Sequence, residues 1–117
     1  MEWLVRLSLI LNVAVLVPVT VGLIGNAGWT ASAYGPPSPA RGILLSIYLA
    51  IMLVSMGLLF KPVPAMVAAL LLVQIIYKVT TPFSVGTLAN PVVLSNLAIA
   101  AFHAVTLRSI AAAKGWL

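Results

Sequence analysis

The chain has 117 residues, of which 63% are hydrophobic and only 6% charged, and its mean hydropathy is +1.23. A soluble domain carries about 25% charged residues because its surface faces water, so this composition belongs to an integral membrane protein. Six Lys or Arg stand against a single acidic residue, Glu2, and there is no cysteine, which excludes disulfides, thiolate metal sites, paired-carboxylate catalysis and Ser-His-Asp chemistry. The basic residues are scattered singly, an arrangement that does not suit nucleic acid.

Charge spacing divides the chain. Residues 7–40, 42–60, 62–77 and 79–107 carry no charge, and each gap approaches the ~20 apolar residues that cross a bilayer. The first predicted span is 3–25, with Trp3 and Arg6 near the interface and Pro18 inside, where a proline removes one helical hydrogen bond and is expected to kink the helix. Ala31-Ser32-Ala33 has the small-x-small form of a signal-peptide cleavage site, but the apolar run before it is too long and its basic lead too thin. It is read as a true span.

An external loop is expected over 26–40, because Gly28, Gly35, Pro36, Pro37 and Pro39 break helices, with Trp29 and Tyr34 at headgroup level. The second span is 41–60, followed by the short Phe60-Lys61-Pro62-Val63-Pro64 turn. The third is 63–80, ending before Thr81-Pro82, and a second external loop is expected over 81–90. Asn90-Pro91 is an N-cap followed by an N1 proline and opens the fourth span, 91–110. The fold class expected is all-α: one membrane domain over 1–117, a four-transmembrane-helix bundle running up-down-up-down. Arg6, Lys61, Arg108 and Lys114 then share one side and Arg41 and Lys78 the other, which places both termini in the cytoplasm by the positive-inside rule.

Helices associate in lipid through small residues and hydrogen bonds. Gly42, Ser46 and Ala50 form a small face on the second span, Ala65 and Ala69 on the third, and Ala100 and Ala104, following Asn96, on the fourth. Between the charges lie the intramembrane polar residues. Arg41, Tyr48 and Ser55 recur at seven-residue spacing, Gln74 and Lys78 at four, Asn96 and His103 at seven with Thr106 a turn on. Two readings of Arg41, Tyr48, Gln74, Lys78, Asn96 and His103 stand side by side. They line one polar seam entered from outside, or they are structural: Arg41 and Lys78 snorkelling from helix ends, Gln74 and Asn96 as interhelical hydrogen bonds, His103 as a satisfied neutral imidazole.

No cofactor or metal is expected. His103 is the only candidate ligand for a transition metal or tetrapyrrole; a bis-His haem needs a second histidine from another chain, whereas chlorophyll needs one. Tyr77-Lys78, Tyr34, Trp29 and Phe83 are the residues that would meet a quinone or a lipid headgroup. No phosphate-binding, zinc-protease or hydrolase motif occurs.

Tyr34-Gly35, Ala40-Arg41 and Ile47-Tyr48 resemble the loop and second span of DoxX-like small bacterial membrane proteins. The likeness covers roughly residues 1–60. It implies the four-helix plan and a cofactor-free accessory subunit, since some DoxX-type proteins serve beside membrane oxidoreductases that reduce quinone. No catalytic residue carries over. The expectation is therefore a non-catalytic accessory or assembly subunit of a larger complex in the bacterial inner membrane, with lipid and other membrane subunits or further copies of itself as partners. A small homo-oligomeric transporter or channel for a polar or anionic solute is the alternative, and pigment or haem binding through His103 the third reading.

Overall fold

The computed structural model describes residues 1–116, and these are helical with no strand. Five helices follow in order: α1 (Glu2–Ile24), α2 (Gly28–Tyr34), α3 (Pro39–Phe60), α4 (Pro64–Val85) and α5 (Pro91–Ala113). All but α2 are long and apolar enough to cross a membrane; at about 1.5 Å per residue, each exceeds the ~30 Å hydrocarbon core. The four expected spans are thus present as helices.

Helix boundaries follow local chemistry. α1 continues through Pro18. It ends in a Schellman arrangement: Asn26 takes the left-handed conformation (φ 50°), while the Ala27 amide donates to Gly22 O (2.9 Å) and the Asn26 amide to Leu23 O (3.4 Å). Asparagine is one of the few residues besides glycine that tolerates this position. Ser38 caps α3 through its Oγ, which accepts from the Arg41 amide, with Pro39 in the first turn. Asn90 caps α5 by accepting from the Val92 amide (2.8 Å), as its Asn-Pro sequence predicts.

Two expected loops are partly helical. The 26–40 stretch contains α2 and the start of α3. Gly28 stands at the first position of α2 and Gly35 at its C-cap with φ 83°, so both glycines bracket the helix rather than interrupt it. The third span runs on to Val85, five residues past its expected end at 80. Pro82 lacks the N–H that would bond Lys78 O, and the Thr81 hydroxyl donates to that carbonyl instead (2.7 Å). α4 stops at Gly86, which is left-handed with φ 86° and donates to Pro82 O.

The chain divides into two compact units, Leu9–Lys61 and the remainder: Met1–Ser8 with the chain from Pro62 onward. In the C-terminal unit, α4 and α5 pack against each other. α4 contributes buried Val67, Leu71, Gln74 and Lys78, and α5 buried Val93, Asn96, Ala100, His103, Thr106 and Ile110. The spacings of three and four put each set on one helical face. In the N-terminal unit, the Trp29 ring lies where a Cβ on Gly22 would sit, so glycine there lets α2 close onto α1. The buried set of α3 is Arg41, Tyr48, Ile51, Ser55 and Leu58.

Candidate functional site

α1 carries Ser8, Asn12 and Thr20 on one buried face, and the first two bond to other helices. In the N-terminal unit, Asn12 Nδ2 donates to Ser55 Oγ (3.0 Å). In the C-terminal unit, Ser8 Oγ shares a hydrogen bond with Thr106 Oγ1 (2.7 Å) and lies 3.2 Å from His103 Nδ1. Thr106 Oγ1 is also 3.3 Å from Phe102 O, to which it donates. His103 is therefore a link in a hydrogen-bonded chain. A tetrapyrrole needs open space beside the imidazole ligating it, and His103 is fully enclosed. Among the described residues there is no group of three or more His, Cys, Asp or Glu that could hold a metal.

Among the described residues, two cations are buried without a carboxylate partner. Arg41, only 6% exposed, folds back onto the segment between α1 and α3. Its Nη1 donates to Gly35 O (2.9 Å), and its Nη2 to Asn26 Oδ1 (3.1 Å) and Thr30 Oγ1 (2.9 Å). The guanidinium thus ties together the C′ residue of α1, the middle of α2 and the C-cap of α2. Partial negative charge at the ends of α1 and α2 favours a cation there. Lys78, 5% exposed, donates from Nζ to Asn96 Oδ1 (3.2 Å) and lies 4.9 Å from the centre of the Tyr77 ring, within cation–π range.

The structure brings together some of the residues expected in a seam and separates the roles of others. Lys78 and Asn96 are bonded, and His103 joins Ser8 and Thr106. Gln74 is buried but donates to Leu70 O of its own helix (3.4 Å). Tyr48 is buried with its ring edge-on to Tyr34, centroids 6.1 Å apart, a favourable aromatic geometry. The Arg41 head group is fixed at a helix end by three oxygens of the segment between α1 and α3.

The small-residue faces divide differently. Ala100 is buried, but Ala104, Ala65 and Ala69 are exposed. Gly42, Ser46 and Ala50 are all exposed, as is Gly57 farther along. At about 100° per residue these four lie opposite the Arg41–Tyr48–Ser55 face of α3. A Cβ built on Gly42 or Gly57 meets nothing within 4 Å.

Sequence reasoning missed Ser8, Asn26 and Thr30 as partners. Their signal was present in outline: Ser8 stands four residues before Asn12, and Gly-Asn-Ala-Gly at the end of an apolar run marks a helix stop. Which distant residue each bonds is not a local property. No protein-family model, curated protein or solved structure matches this chain.

Proposed function

We propose that the protein is a non-catalytic, multi-pass membrane protein acting as an accessory or assembly subunit of a larger membrane complex. One observation carries this reading: the small-residue stripe Gly42-Ser46-Ala50-Gly57 faces outward on α3. Glycine inside a helix costs about 1 kcal/mol relative to alanine. At Gly42 and Gly57 nothing among the described residues requires it, since a Cβ there meets open space. Small residues on an exposed membrane-helix face allow a second helix to approach closely. The occupant proposed is a helix of another membrane subunit. The four long helices cross a bacterial inner membrane up-down-up-down with both termini in the cytoplasm. The DoxX-like features of the first half favour a quinone-linked oxidoreductase as the host complex.

The chain has no cysteine, so Ser46→Cys supplies a single thiol on this face. In native membranes, a maleimide–benzophenone reagent coupled to Ser46→Cys is expected, on illumination, to insert into a C–H bond of one different chain and give a single discrete cross-linked product. Val105→Cys, exposed on α5, is expected to give no such product. Ala50→Leu should abolish the cross-link without changing thermal stability in detergent. Cross-linking only to a second copy of this chain, or none, overturns the accessory reading.

The two buried cations favour a second reading, a small homo-oligomeric transporter or channel for a polar or anionic solute. Intramembrane ionisable residues are costly and often mark solute pathways. Purified protein in liposomes should then conduct an anion, with flux lost in Lys78→Met; flux unaffected by that change removes Lys78 from any pathway.

A further inference from the structure

We infer that the cavity beside Arg41 is a binding site for a phosphate-type oxyanion, most suited to the phosphodiester of a membrane lipid. The cavity holds about 240 Å³ and is lined by Asn26, Ser38 and Arg41 on its polar side and by Leu23, Gly42 and Leu45 among others. All of these residues belong to the N-terminal unit.

Charge comes first. Arg41 is more than nine-tenths buried, and its three acceptors are a carbonyl, an amide oxygen and a hydroxyl. All three are neutral. Arg41 also occupies the first turn of α3, where the helix macrodipole is positive and disfavours a cation. Two sources of positive potential therefore border one cavity, a full guanidinium charge and the first turn of α3, against only the partial negative charge at the ends of α1 and α2. The only acidic side chain in the sequence, Glu2, is not among the residues lining the cavity.

Donor capacity comes second. A guanidinium has five N–H groups in a planar fork that matches phosphate and carboxylate oxygens. Three bonds are made to protein, which leaves Nε–H and one Nη1–H for a ligand. The loop bonds also hold the fork in place, so ordering it for an anion costs little conformational entropy.

Size and wall chemistry set the class. The cavity is smaller than the 300–1,000 Å³ usual for drug-sized ligands and suits a head group. Leu23 and Leu45 beside the polar rim suit the glycerol and acyl portion of an amphiphile.

Purified protein in a neutral detergent is titrated with phosphatidylglycerol, with phosphatidylcholine and with inorganic phosphate, following the thermal midpoint. Ligand that binds only the folded state raises it. Phosphatidylglycerol is expected to raise the midpoint, and phosphatidylcholine to do so at least tenfold less effectively by concentration. Inorganic phosphate separates the sources: a matching response assigns the site to a free oxyanion, and no response assigns it to a lipid head group. Because Arg41→Gln also removes the loop bonds, Leu45→Trp is the second variant, filling the cavity while leaving those bonds intact. Its midpoint without ligand should equal that of the wild type, and its response should be lost. No response of the wild type to phosphatidylglycerol or phosphate, or an equal response in Leu45→Trp, overturns the site.

Discussion

In the N-terminal unit the buried cation Arg41 has three oxygen acceptors, supplied by the segment between α1 and α3. In the C-terminal unit the buried cation Lys78 has one amide oxygen and the face of a neighbouring ring. Arg41 stands in the first turn of α3 and Lys78 about two turns before the end of α4, and among the described residues neither meets a carboxylate, yet they do different jobs. The rigid arginine fork can join several fixed oxygens at once, so it organises a loop. A lysine ammonium is a point charge on a flexible stem, and Lys78 joins two helices that are packed together along other side chains as well.

Arg41→Ala should break this comparison most severely. It removes charge-assisted bonds to Gly35, Asn26 and Thr30, each typically worth about 1.5–3 kcal/mol but not additive, and a loss of on the order of 3 kcal/mol is expected in reversible denaturation in mixed micelles. Arg41→Lys should recover less than half of that loss; full recovery would show that charge alone, and not the fork, holds the loop.

Ala100→Leu comes next. Ala100 is buried on α5, whereas Ala104 is exposed. Overpacking at Ala100 should cost about 1–3 kcal/mol and lower the thermal midpoint in detergent, while Ala104→Leu should leave it unchanged. Equal effects would mean that the buried face of α5 is wrongly assigned.

Ser8→Ala should cost about 1 kcal/mol, because it takes a partner from both Thr106 and His103. The ring proton chemistry of His103, followed by NMR, should change with it. An unaltered imidazole signal would contradict the bond to Ser8.

The smallest effect is expected at Lys78. Replacing a buried charge by an apolar side chain of similar length often proves neutral, so Lys78→Met is expected to stay within about 1 kcal/mol of the wild type. The pair Lys78→Met with Asn96→Leu should be at least as stable as Lys78→Met alone, since it also removes the amide left without its donor. A loss comparable to that of Arg41→Ala would erase the distinction between the two cations.

The four long helices were legible in the order of residues alone. Charge-free gaps of suitable length, Asn90-Pro91 at one helix start and the proline-rich turn after Phe60 are all local signals, and local hydrogen bonding and apolarity are what a helix needs. Residue order also singled out the buried polar residues, because a polar group at helical spacing in an apolar run stands out. It did not find α2 or the last turn of α4, where glycines serve as brackets and a threonine hydroxyl stands in for the missing amide of Pro82.

How the polar groups are partnered is a property of the folded chain. Arg41 was legible as a charge at a helix end, but its fold-back onto Asn26, Thr30 and Gly35 depends on how α1, α2 and α3 meet. Gly42, Ser46 and Ala50 were legible as a small stripe, but only the folded chain turns them outward. The physical reason is the same in both cases. Propensity and hydropathy act over a few residues, whereas a hydrogen bond or a packed face joins residues whose separation along the chain carries no signal of their contact.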